Sequence, residues 1–336
     1  MKKTTSYFHS ILLLSTLFVS SAPLYAQKDF KHDTAYYETY PEKINFRLYL
    51  SQKYIHLNFP ATASGSELEY KANPKLNLGA GFTTKGISVN LFSGFGFLNT
   101  NKVDKGKTKG LDLQIHLFPH KWAVDLYVEV PKGFHLEPKG LAGATADKYY
   151  YRKDIKSNFF GFSAYRVPNK EKFSYKAALL QTEWQKRSAG SFLYGGEIYY
   201  GSIKGDSALI PKLLQNGFPQ AGITKFNYLS FGPGVGYAYT LVLAKHLFLT
   251  GSAVANLDVN ISTEEGIKKE NKVSINPAEV FKAAAGYNSS TWNVSANWTG
   301  NGLWIQGASS SKDYFLPSGN VRIVVARKFN KHKHSI

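Results

Sequence analysis

Residues 108–131, TKGLDLQIHLFPHKWAVDLYVEVP, decide the fold. In the first half Leu111, Leu113, Ile115 and Leu117 alternate with Asp112, Gln114 and His116. In the second half Trp122, Val124, Leu126, Val128 and Val130 alternate with Ala123, Asp125, Tyr127 and Glu129. Successive strand side chains point to opposite faces, so each run has a hydrocarbon face and a polar face. Pro119-His120 supplies a tight turn between them. Each run approaches the ~10 residues that a tilted strand needs to cross a bilayer. The hairpin therefore predicts strands with lipid outside and a polar lumen inside. A soluble β-sandwich would instead have to bury the two apolar faces against each other.

The amino-terminal segment agrees with a membrane destination. Lys2 and Lys3 precede an apolar run, Ile11 to Val19, and Ser21 to Ala26 (SAPLYA) ends in small residues. That is the layout of a cleavable secretory signal, with cleavage expected after Ala26. The chain has no cysteine, which excludes a lipoprotein anchor, disulfides, zinc-thiolate sites and cysteine nucleophiles. No later apolar run reaches the ~20 residues of a membrane helix. A chain exported without helical spans and carrying such strands is expected in the outer membrane, where only closed barrels satisfy strand backbones.

Composition fits that destination. Aromatics make up 15% of the chain, including 22 Tyr and 23 Phe, enough for girdles at two interfaces. The formal net charge is +18, and removing the two lysines of the first 26 residues leaves +16. For an exported chain nucleic acid is not an expected partner. The expected partners are outer-membrane lipid and lipopolysaccharide, with the barrel assembly machinery during insertion. The plainer reading of the charge is a set of well-solvated loops.

The same alternation recurs along the chain. Ile44, Phe46, Leu48 and Leu50 alternate with Asn45, Arg47, Tyr49 and Ser51. Lys75 to Thr83 leads to a turn at Lys85-Gly86, after which Ile87, Val89, Leu91, Phe95 and Phe97 share one face. A basic loop over 99–109 carries Lys102, Lys105, Lys107 and Lys109. A long connection from Lys132 to Ser157 contains Tyr149-Tyr150-Tyr151-Arg152. Further strands are predicted over 158–168, 172–185, 190–203, 224–243 and 245–259. Asn276-Pro277-Ala278-Glu279 could cap a helix ending at Gly286. The strand reading is preferred, because Trp292, Val294, Ala296 and Trp298 then form an alternating hairpin partner. In the last strand Val321, Ile323 and Val325 face lipid, while Arg322, Val324, Ala326 and Lys328 face the lumen.

These segments predict an all-β, antiparallel up-and-down transmembrane barrel of about 12 strands, with 10 or 14 as neighbouring even counts. The divisions are a signal peptide (1–26), a periplasmic segment (27–42), the barrel (43–329) and a basic tail (330–336). A terminal amphipathic strand ending in Phe329 resembles the signal read by the barrel assembly machinery, although here a basic tail follows the aromatic. Short turns at Lys85, Pro119, Asn169 and Lys245 are expected on the periplasmic side. That expectation puts the long segment Gly205 to Ile223 on the same side, unless the strand count between 133 and 243 is off by one.

Asp33 to Tyr40, Phe173 to Ala178, Gln181 to Gly190 (QTEWQKRSAG) and Gly232 to Tyr237 (GPGVGY) together resemble domain-of-unknown-function family 4421. The resemblance runs from about Asp33 to Phe329. It implies an exported outer-membrane barrel of Bacteroidota, and it brings no activity and no catalytic residues.

The candidate functional residues are the charges assigned to the lumen: Arg47, Asp112, His116, Asp125, Glu129, Lys176, Glu197, Asp258, Arg322 and Lys328. Interior charges must pair or meet water. They fit a salt-bridged plug, a small-solute channel with a charged constriction, or a ligand-binding barrel. The enzymatic alternative is an outer-membrane phospholipase or lipid A deacylase. His116, His120 and His135 would be its candidates, but no serine stands beside them in a recognisable motif. Gly232, Gly234 and Gly236 lack the helix of a phosphate loop and are expected to relieve crowding in a bent strand. His332 and His334 are too few ligands for a metal site. The Asn-x-Ser/Thr triplets at Asn293 and Asn297 fall inside a predicted strand. No cofactor is expected.

Overall fold

The computed structural model describes residues 32–61, 67–84, 87–99 and 104–330. The expected signal peptide, the Lys85-Gly86 turn, Lys102 and the His332/His334 pair lie outside the described residues. Fifteen strands are described: β1 (Tyr37–Thr39), β2 (Lys43–Phe59), β3 (Leu68–Ala72), β4 (Asn77–Thr84), β5 (Ile87–Ser93), β6 (Lys109–Leu117), β7 (Trp122–Glu137), β8 (Tyr151–Arg166), β9 (Glu183–Gln185), β10 (Ala189–Lys204), β11 (Lys225–Leu243), β12 (Leu247–Glu265), β13 (Lys269–Asn288), β14 (Trp292–Gln306) and β15 (Asp313–Asn330).

Ten of these close an antiparallel ring in the order β2-β3-β7-β8-β10-β11-β12-β13-β14-β15 and back to β2. The ring begins at Lys43 and ends at Asn330, and these residues pair with each other at one rim, here called the terminal end. Strands β3 and β4 form one crossing interrupted at 73–76. Both pair with β2, with a one-residue register shift between them. The half-length strands β5 and β6 then widen the terminal half of the barrel. Counting β3 and β4 as one crossing gives about 12 strands, as the periodicity predicts.

Two-residue periodicity sets the two faces. Leu48, Leu126, Phe192, Val235, Leu249, Val273 and Ile323 are all exposed on the outside, a belt that would be untenable in water and suits hydrocarbon. On the lumen side of the same strands, Asn45, Arg47, Ala123, Asp125, Tyr127 and Glu129 are buried. Asn276 to Gly286 lies in strand β13, whose partner is β14, as the preferred strand reading expects. Short terminal-end turns occur after β6, where His120 takes a left-handed backbone (φ 46°), and after β11, where Ala244 and Lys245 do so (φ 47° and 67°).

Two predicted boundaries are corrected. The Tyr149–Arg152 cluster is not all connection, because β8 begins at Tyr151 and β7 continues to Glu137. Residues 172–185 do not form a crossing strand, and Asn169 is not a short turn. After Arg166 the chain enters the barrel mouth, makes a helical turn at Lys176–Leu180, and pairs β9 with β1 in a two-stranded sheet. Its apolar residues bury inside the barrel, which is why their pattern mimics a strand. Removing that false crossing places Gly205 to Ile223 at the opposite, loop end and resolves the topology.

Candidate functional site

The lumen is stacked in three levels. At the loop end, the 205–223 segment turns inward and buries Leu209 and Ile210 among Phe59, Tyr70, Phe134, Leu136, Phe226 and Tyr314. Tyr70 donates its hydroxyl to the Leu209 carbonyl at 2.8 Å. Arg152 binds the Ala208 carbonyl at 2.9 Å while pairing with Asp154 at 2.7 Å. At the terminal end Phe173 and Tyr175 pack with Phe118, Leu193, Val254 and Val280. Tyr175 stacks on Phe118 with centroids 5.2 Å apart. The β1–β9 sheet lies in this mouth, braced internally by Lys186 to Glu38 at 2.7 Å and tied to the barrel by Asn288, which donates to the Glu183 carbonyl at 3.0 Å.

Between the two apolar levels runs a polar belt. Lys282 Nζ lies 2.5 Å from Asp125 Oδ2. Strands β13 and β7 are five steps apart in either direction around the ten-strand ring, so this ion pair spans the lumen. His116 Nδ1 sits 2.6 Å from the other oxygen of Asp125, and Ser163 donates to Oδ2 at 3.4 Å. Glu129 accepts from Gln114 at 2.7 Å, and Asp112 pairs with Lys53. Glu197 accepts from Tyr165 at 2.7 Å and Tyr199 at 3.1 Å. Asp258 accepts from Ser230 at 2.6 Å. The glycines of β11 make room here: a Cβ on lumen-facing Gly232 or Gly234 would collide with Asp258 or Asn256.

Of the residues predicted for the lumen, Asp112, His116, Asp125, Glu129, Glu197 and Asp258 join this belt. Arg47 and Arg322 face the lumen nearer the terminal end, with the Arg322 guanidinium 4.8 Å above the Tyr49 ring. Lys328 is buried at the terminal mouth, donating to the Ser289 carbonyl at 2.8 Å. Lys176 is the exception. Its predicted strand does not exist, and it sits half-buried on the helical turn of the terminal plug. Lys282 is the central residue the sequence reading missed. It precedes Ala283-Ala284-Ala285-Gly286, where inward and outward positions carry the same residue types and no alternation marks a face.

The three candidate histidines stand apart in the described residues. Ser163 is turned to Asp125 rather than to His116, His120 lies in the β6–β7 turn, and His135 packs edge-on to Tyr149, with centroids 5.1 Å apart. Among the described residues no cluster of three or more His, Cys, Asp or Glu could hold a metal ion.

No curated protein matches the chain. Among solved structures, the outer membrane protease OmpT from Escherichia coli is 11% identical, with 87% of this chain and 98% of that one covered and a TM-score of 0.35. The toluene transporter TodX of Pseudomonas putida is 10% identical over 88% and 92% of the two chains, with a TM-score of 0.24. The outer membrane protein OprG from Pseudomonas aeruginosa is 12% identical over 86% and 98%, with a TM-score of 0.22. Similarity at this level says nothing about activity. The family model described as domain of unknown function DUF4421 matches residues 31–329, and the chain belongs to that family.

Proposed function

We propose that this protein is an outer-membrane barrel whose lumen is closed, and that it binds a ligand rather than conducting solutes. The single observation behind the closed lumen is the Lys282–Asp125 ion pair spanning it between two apolar plugs. A ring of ten strands is narrow enough for side chains to meet across it. Water-filled lumens belong to barrels of considerably more strands. The outer-membrane assignment is supported by the barrel itself, by its apolar belt and by the secretory layout of residues 1–26.

The test is single-channel recording of refolded mature protein in a planar bilayer. Inserted protein that stays silent at all voltages is expected. Reproducible, ion-selective steps would overturn the closed-lumen reading.

A further inference from the structure

Among the described residues, the barrel wall is left unpaired at one place in its terminal half. Strand β5 pairs with β4 and β6 pairs with β7, but β5 and β6 do not pair with each other. Lumen-facing side chains are mostly buried elsewhere in this half of the barrel, yet on β5 Asn90 is exposed and Phe92 is 57% exposed. These two residues therefore look out through an opening between the strands. Its lips are apolar, with Leu91 74% exposed and Leu111 60% exposed. Unpaired strand edges cannot be left facing hydrocarbon without a partner for their N–H and C=O groups.

Behind the opening stand two arginines that, among the described residues, have no carboxylate partner. Arg47 is 3% exposed and donates to neutral acceptors: Asn90 Oδ1 at 2.9 Å, Thr83 Oγ1 at 2.8 Å and the Leu180 carbonyl at 3.1 Å. Arg322 projects from the neighbouring strand onto Tyr49, which lies between the two arginines on the lumen face of β2. Among the described residues neither forms an ion pair, whereas Lys282, Lys53 and Arg152 each have an acidic partner. Two cations flanking one tyrosine ring, the first of them buried, are unfavourable without a counter-charge. Guanidinium groups bind carboxylate or phosphate oxygens through paired, charge-assisted hydrogen bonds.

We propose that the β5–β6 opening admits an amphiphile with an anionic carboxylate or phosphate head group. Its head binds Arg47 and Arg322 inside the barrel, and its alkyl chain lies between Leu91, Phe92 and Leu111 toward the membrane. Asn90, exposed and bonded to Arg47, stands at the point of entry. Head-group oxygens also accept from the unpaired N–H groups of the strand edges. This inference names the ligand class of the closed binding barrel proposed above.

The test is calorimetric titration of the refolded full chain, held in a neutral detergent, with dodecyl phosphate, laurate and inorganic phosphate. Saturable binding of one dodecyl phosphate or laurate is expected, with inorganic phosphate at least tenfold weaker. Arg322→Gln is expected to weaken binding of the amphiphile tenfold or more. Phe92→Ala, which leaves both arginines in place, is expected to weaken the amphiphile but not inorganic phosphate. Resistance of each variant to unfolding in cold detergent verifies that it is folded. Unchanged affinity in folded Arg322→Gln, or no binding by the wild type, would overturn the site. Equal affinity for inorganic phosphate would overturn the alkyl part. A protein that conducts yet binds as described would overturn the closed-lumen reading alone, and a silent protein that ignores the amphiphile would overturn this inference alone.

Discussion

Asp125 is fully buried and holds three partners at once, Lys282, His116 and Ser163. Removing one side of a buried ion pair strands the other charge, which costs about 3–5 kcal/mol, whereas replacing both sides is often close to neutral. Lys282→Met is therefore expected to destabilise the barrel by about that amount. Adding Asp125→Asn should restore most of the loss, since the amide can still meet His116 and Ser163. Urea unfolding of refolded protein in lipid vesicles measures both variants, and simply additive penalties would show that the pair does not act as a unit. Asp125 was legible from sequence because strict alternation in Trp122–Val130 fixes its face. Lys282 was not, because a lysine beside three alanines has no periodic neighbours to orient it, and its partner lies 157 residues away.

The element that reads most clearly in the sequence is the β6–β7 hairpin, and its orientation gives a direct test. Leu126 is 37% exposed on the outer face while its neighbour Asp125 points inward. An arginine on the lipid face of a barrel costs about 2–4 kcal/mol near mid-bilayer, so Leu126→Arg should lower stability by that amount and Leu126→Ile by far less. Equal tolerance of both would mean that this strand does not face lipid. The terminal plug is the element that the sequence misrepresents. Phe173, Tyr175, Ala177 and Ala178 are apolar enough for a strand, but they bury on consecutive as well as alternate positions against the inside of the barrel, and only the closed ring supplies that environment. The plug also carries a pH dependence. Hydrogen bonds from Lys186 and Tyr40 hold the Glu38 carboxyl below its ordinary value. A lowered carboxylate contributes stability above its unfolded pKa and loses it as pH falls through the folded value. Because Glu38 is partly exposed, solvent screens the effect and it remains local. Protection of the Lys186 amide, bonded to the Tyr36 carbonyl at 2.7 Å, should fall relative to its intrinsic exchange rate below about pH 4, the ordinary carboxylate range, while the amides of β12 stay protected. Uniform loss of protection across both would remove the plug-specific account.

For the whole molecule, the proposed closure rests on three levels in series, so no single lesion should open a path through it. Current requires continuous water from one rim to the other. Deleting 173–186 would empty the terminal mouth but leave the Asp125–Lys282 belt and the Leu209–Ile210 core in place. The β5–β6 opening does not alter this, because it joins the same terminal half that the deletion exposes. Replacing 207–212 by a Gly-Ser linker would thin the loop-end core but leave the belt. Each change alone is therefore expected to give a silent protein in a planar bilayer. Combining both with Lys282→Ala and Asp125→Ala, which removes the crossing pair without leaving a lone charge, should produce discrete conductance. The combined variant must first be recovered folded, since it gives up much of the apolar interior that replaces a water-filled lumen. Conductance from the plug deletion alone would mean that the belt and the loop-end core do not seal, and that the terminal plug is the one gate of an otherwise open channel.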